Sequence, residues 1–199
     1  MSPQARTSEI LATLAAQPSE RLTVQDILAV LRDRAFALLV VLLGLPNCLP
    51  MPPPIPLFCG LLLALVAAQV IAGRAAPWLP KTLLHRSIAQ TDIQRAVARA
   101  LPIFRWLERF SRPRMTVLDN AIALRGMGVV LLILAIGIVF ALPPIVGQIP
   151  LGIAVCLVGL GLVERDGLVV LGGLAVGSIG VTVNLSFIYA VMSGIDTLL

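Results

Sequence analysis

The sequence predicts an all-α, polytopic integral membrane protein, and three observations carry the prediction. Charge is scarce: hydrophobic residues make up 58% of the 199-residue chain and charged residues 13%, where a soluble domain carries about 25% charged residues. The apolar residues are contiguous. Ala35–Gly73, Gly126–Val163 and Gly167–Ile195 carry no charge over 39, 38 and 29 residues, and one bilayer crossing takes about 20. The first two runs are each broken by prolines near the middle and resemble one another. With a mean hydropathy of +0.99, the chain cannot clothe a water-facing surface, which excludes a soluble globular enzyme and a disordered chain.

The N-terminal stretch, Met1 to Arg21, is polar and mixed in charge, without the basic start and apolar core of a cleavable signal. The first apolar helix is therefore expected to target the protein and to remain in it. Thr23-Val-Gln-Asp26 fits a helix-capping pattern: the Thr oxygen accepts from the third backbone N–H, and the acid sits near the positive end of the helix dipole. Only 11 residues, Ala35 to Leu45, precede the first proline. That is about 17 Å of helix against a hydrocarbon core of about 30 Å. This arm spans only if its helix starts near Thr23, with Arg32 and Arg34 at the interface.

Prolines at 46, 50, 52, 53, 54 and 56 break the first run, and Pro143, Pro144 and Pro150 break the second. Each run is therefore read as two helical pieces around an irregular tip. At a shift of 93 residues, Leu22–Pro50 and Met115–Pro143 share ten identities in 29 positions, among them Thr23/Thr116, Asp26/Asp119, Arg32/Arg125, Gly44/Gly137 and Pro50/Pro143. Beyond the tips, Pro56 meets Pro150 and Gly73 meets Gly167 at a shift of 94. The reading is an internal duplication of one Pro-broken hairpin, either crossing fully or re-entrant. Thr116 then repeats the helix start of Thr23.

One membrane domain covers 1–199. A first repeat unit spans 22–80, an Arg-rich connector 81–114, a second repeat unit 115–167 and a final span 168–192. The connector is expected to be helical from Leu83 to Phe110, with Ile103, Trp106, Leu107 and Phe110 at i, i+3, i+4, i+7 spacing. That marks an interfacial amphipathic helix or one packed on the membrane units. In the final span, Gly173, Gly177 and Gly180 would let another helix approach closely.

Charge sets orientation. Of the 15 cations, ten lie between Arg74 and Arg125 beside only three acids. These cations flank the same ends of both hairpins, so the positive-inside rule places that face in the cytoplasm and gives both hairpins one orientation. Arg105, Arg109 and Arg112, with Trp106, form the expected face for anionic lipid or a protein partner. No nucleic-acid reader motif accompanies the charge, so no nucleic-acid partner is expected.

Amides are the candidates for a polar route. Asn47 and Gln148 fall in the two tips, Gln69 late in the first hairpin and Asn184 in the last span. In lipid each must face protein or a cavity, either as helix–helix hydrogen bonds or as a pathway. Glu164, Arg165 and Asp166 read as a charged turn with Gly167 as its loop or cap residue, or alternatively as an intramembrane relay. Cys48, Cys59 and Cys156 read as small buried hydrophobes, and His85 stands alone, so neither a metal nor another cofactor is expected. No nucleophile elbow, phosphate loop or His–carboxylate pair is present, so no enzyme is expected.

Several strings resemble the ExoD-type exopolysaccharide synthesis proteins. They are Leu45-Pro-Asn-Cys-Leu-Pro-Met-Pro-Pro-Pro54 with Gln69, Gly73-Arg-Ala-Ala-Pro-Trp-Leu-Pro80, Arg34-Ala-Phe, Arg112-Pro-Arg114 and Asp166-Gly167. The resemblance runs from about Ile10 to the C-terminus. The chain departs from the pattern at Pro54-Ile-Pro-Leu-Phe, where glycine and small polar residues are expected. The resemblance implies a small bacterial inner-membrane protein linked to exopolysaccharide production and transfers no catalytic residue. Two functions follow as expectations. One is a small transporter or permeation factor with its pathway at the paired tips. The other is a non-transporting scaffold that binds polysaccharide synthesis machinery or anionic lipid. A second copy of the chain is the expected oligomeric partner.

Overall fold

A computed structural model describes residues 9, 12–13, 16, 21–31, 34–50, 54–74, 76–78, 87–91, 93–95, 97–98, 101–102, 120–141 and 144–196. In chain order the elements are β1 (Arg21–Thr23), α1 (Val24–Leu31), α2 (Ala35–Gly44) with a 3-10 extension (Leu45–Cys48), α3 (Pro54–Ile71), β2 (Ser87–Ala89), α4 (Ala121–Val139), α5 (Pro144–Glu164) and α6 (Gly167–Asp196). Among the described residues, four helices are long and apolar enough to cross a membrane: Pro54–Ile71, Ile122–Val139, Gly147–Glu164 and Gly167–Ser193. The chain is thus an all-α, multi-pass membrane protein whose lipid-facing helices expose residues such as Phe58, Leu61, Ile133 and Ile179.

The capping pattern at Thr23 is realised. Asp26 N–H donates to Thr23 Oγ1 at 3.2 Å, and Thr23 N–H donates back to Asp26 Oδ2 at 3.0 Å. The Thr23 hydroxyl also donates to that oxygen, and these bonds hold the Asp26 carboxyl below the usual carboxylate range. The helix begun there does not run through the first arm. α1 ends at Leu31, and α2 starts anew at Ala35 with Arg34 as its N-cap. Ten α-helical and four 3-10 residues rise about 23 Å, short of the bilayer core. In the second unit the helix proper starts at Ala121, where Asn120 Oδ1 accepts from Ile122 N–H at 3.1 Å. Thr116 and Asp119 lie outside the described residues.

Neighbouring helices are antiparallel, and the hairpins interlock. α2 packs on α5, α3 on α4, and α5 on α6. Gly44 lies against Val155 and Cys156, while Gly159 lies against Val40 and Val41, which fixes α2 antiparallel to α5. Gly60 meets Ile138 and Val139, and Gly128 meets Val70 and Ile71, which does the same for α3 and α4. It follows that α2 and α4 run the same way. The core lies between these helices, with Val40, Leu63, Leu131, Leu134, Leu151, Val155 and Val158 buried in one cluster. Gly173, Gly177 and Gly180 do serve close approach, but within the same chain: Gly173 and Gly180 lie against Val158 and Leu151 of α5, and Gly177 against Leu134 of α4 and Ala154 of α5.

The basic end carries a second cluster. β1 and β2 form an antiparallel ribbon, Leu22 opposite Ile88. Leu22, Leu31, Ala35, Ala37, Ile93, Val97 and Val163 are buried together beneath it. The ribbon corrects the expectation of a helix from Leu83, because residues 87–89 are strand and the described residues of 90–102 are helical. Ile93 and Val97, one turn apart, seat that helix on the bundle. Trp106, Arg105, Arg109 and Arg112 lie outside the described residues.

Both long helices that return to this end close alike. After α3, Arg74 N–H bonds Gln69 O and Gly73 N–H bonds Val70 O, with Gly73 at φ 71°. After α5, Asp166 N–H bonds Gly161 O at 2.9 Å, with Arg165 at φ 54°. These are Schellman closures. Arg165 holds the left-handed position of this turn, and Gly167 is the first residue of α6.

Candidate functional site at the first tip

Three of the four candidate amides lie toward the tip end of the bundle. Asn47 sits in the 3-10 extension of α2 and is fully buried. It packs against Gly152, where an added Cβ would come within 2.5 Å of the Asn47 carbonyl carbon and 2.6 Å of its oxygen. Gly152 is eight residues into α5, so the first tip lies about 12 Å inside the start of its neighbour. Irregular backbone at such depth is sustained only when protein or water meets its polar groups. Asn47 Nδ2 donates to Leu43 O at 2.8 Å, which answers one carbonyl freed at the end of α2. Its Oδ1 is buried without a hydrogen-bond partner.

Gln148 and Asn184 flank this tip. Gln148, placed in the second tip by sequence, belongs to the second turn of α5 and is buried. Its Nε2 reaches Leu49 O of the first tip at 3.5 Å. Pro150 lies inside α5 rather than in a break. The helix tolerates it at the price of the backbone donor that would close onto Val146. Asn184 of α6 is buried, donates from Nδ2 to Gly137 O at 2.8 Å, and lies against Gly147. The site thus joins one amide from each of α5, α6 and the first tip.

Gln69 is not part of it. It lies at the basic end, where its Nε2 donates to Trp78 O at 3.3 Å and its Oε1 accepts from Trp78 N–H. The charged turn is also structural in its geometry. Asp166 is buried, and its Oδ1 accepts from Leu168 N–H at 2.9 Å, capping α6. Glu164 and Arg165 flank it at intermediate exposure.

Sequence reasoning missed one pairing. Cys48 Sγ and Cys156 Sγ lie 3.6 Å apart where the first tip meets α5. The available signal was the row Gly152, Cys156, Gly159 on one face of α5, small enough to admit another backbone.

Comparison with known proteins places the chain in a family. The family model described as "Exopolysaccharide synthesis, ExoD" matches residues 7–186. A protein named Protein ExoD from Rhizobium meliloti (strain 1021) is 31% identical over 179 residues, covering 86% of this chain and 72% of its own. An uncharacterised protein of Synechocystis sp. (strain ATCC 27184 / PCC 6803 / Kazusa) is 30% identical over 173 residues, covering 85% and 80%. No solved structure matches. On the family match and the Rhizobium relative together, the chain belongs to the ExoD family of exopolysaccharide synthesis proteins.

Proposed function

We propose that the protein is a non-enzymatic permeation factor of the bacterial inner membrane. It moves a polar solute in support of exopolysaccharide production, along a route past Asn47, Gln148 and Asn184. The observation that carries the reading is the buried, unpartnered Oδ1 of Asn47. An acceptor left unsatisfied in an apolar core costs about 1–3 kcal/mol, and such a cost is tolerated where a solute or water comes to meet it. The tip that presents it ends, inside the bundle, a helix too short to cross the core, a geometry that transporters use to bring backbone carbonyls to a polar substrate. Arg34, Arg74, Arg125 and Arg165 border the opposite end of the bundle, which the positive-inside rule assigns to the cytoplasm.

The test is flux in proteoliposomes, followed by shrinkage and swelling in gradients of glycerol, glucose and sodium chloride. At least one probe is expected to move faster than in empty liposomes, and Asn47→Leu and Gln148→Leu are expected to remove most of the gain. Oxidative cross-linking of Cys48 to Cys156 reports that the tip is still seated in each variant. Absence of flux for every probe, or flux indifferent to both substitutions, would overturn the proposal and leave the scaffold reading to be pursued.

A further inference from the structure

At the basic end, away from the tips, the lipid-facing side of α3 closes over a groove of about 380 Å³ lined by Leu65, Ala68, Gln69, Ala72, Arg74 and Trp78. Its long wall is apolar and exposed to the membrane. Its mouth is cationic and aromatic. Gln69 grips the backbone of Trp78 through both amide atoms, which fixes the loop that forms the far wall. The left-handed turn at Gly73 brings Arg74 out beside the groove, and the Arg125 guanidinium lies against Gly73, 2.9 Å from where a Cβ would stand. Neither arginine has a carboxylate within ion-pairing distance among the described residues.

We infer that this groove is a binding site for an anionic phospholipid. The phosphate sits between Arg74 and Arg125, one acyl chain runs along Leu65, Ala68 and Ala72, and Trp78 lies at the glycerol level. Guanidinium groups suit phosphate because their N–H donors form a planar fork, and Trp prefers the headgroup boundary. The negative C-terminal end of α3 is already closed by backbone bonds to Gln69 O and Val70 O, so these two carbonyls do not call on the cations. The site stands independently of the pathway reading, since none of its residues belongs to the tip.

The experiment uses the full chain with Trp106→Phe, leaving Trp78 as the sole tryptophan. It is reconstituted into phosphatidylcholine vesicles containing a minor fraction of phosphatidylglycerol, with one or the other lipid brominated. Brominated phosphatidylglycerol is expected to quench Trp78 beyond its share of the bilayer. Arg74→Gln and Arg125→Gln should each weaken the preference about fivefold, from about 1 kcal/mol per cation near an anionic surface. Arg74→Lys should restore most of it, with circular dichroism confirming the helices. Quenching in proportion to bilayer composition, or a preference unmoved by both Gln variants, would overturn the site. Loss of the preference on adding millimolar inorganic phosphate at constant ionic strength would overturn the lipid as occupant and assign free phosphate instead.

Discussion

Gly152→Ala tests how the first tip is held. An Ala Cβ at this position would stand 2.5 Å from the carbonyl carbon of Asn47, 2.6 Å from its oxygen and 2.8 Å from its Cβ. Ordinary contact begins near 3.4 Å, so the tip has to retreat by about 0.9 Å, and what retreats is backbone rather than a pliable side chain. Overpacking of this kind costs about 1–3 kcal/mol, and 1.4 kcal/mol is about tenfold in an equilibrium. The docked tip should therefore lose roughly 5- to 150-fold in occupancy relative to the undocked one. The protein carries its own ruler, since Cys48 and Cys156 Sγ atoms are 3.6 Å apart across this contact. With Cys59 replaced by Ser, copper-catalysed oxidation in membranes should join the pair rapidly in the parent and markedly more slowly in Gly152→Ala, with a lowered midpoint of thermal unfolding in detergent. Gly172→Ala, where a Cβ meets nothing within 4 Å, is the control and should match the parent. Parent-like cross-linking and melting in Gly152→Ala would refute the close approach of tip and helix.

Four further outcomes are expected. Gly73→Ala should destabilise by about 1 kcal/mol, because φ 71° is left-handed, and it should also displace Arg125; thermal melting in detergent reads the first effect. Arg165→Gly should shift the melt the opposite way, since φ 54° strains any residue with a Cβ. Gln69→Leu releases two hydrogen bonds to Trp78 worth about 1 kcal/mol each, so amide exchange at Trp78 should accelerate while the tip stays protected. The lowered carboxyl of Asp26 contributes stability above its unfolded value near 3.8 and loses it as pH falls through its folded value. Asp26→Asn should accordingly reduce stability at pH 7, and the gap to the parent should close in strong acid, as measured by pH-dependent melts.

What could be read from the sequence was what depends on near neighbours. Uncharged length revealed the spans, because the bilayer demands about 20 apolar residues wherever they fall. The box at Thr23 and Asp26 was legible because both partners lie within one helical turn. The buried amides at 47, 148 and 184 were foreseen from the cost of a polar group in lipid, which holds in any fold. Gln69 satisfies that cost through Trp78 nine residues away, and residue type alone could not distinguish a clamp from a pathway. The turn at 164–166 was legible from its charges, but which residue turns left-handed was not: hydrogen bonding of Asp166 N–H to Gly161 O imposes that conformation on Arg165 rather than on a glycine. The ribbon at 21–23 and 87–89 joins segments more than sixty residues apart, and so does the contact of Cys48 with Cys156. Such pairings depend on topology, which local pattern does not encode.

The interlocking of the hairpins has a consequence for biogenesis. The partner that seats Asn47 is Gly152, which leaves the ribosome 105 residues later. At about 5–20 residues per second, the first tip waits about 5–20 s for its cradle. Throughout that interval a helix too short to cross the core, with unmet polar atoms at its end, has to be sheltered by the insertion machinery or held at the membrane surface. Nascent chains truncated before residue 152 should therefore be more vulnerable to membrane proteases than those arrested beyond α5.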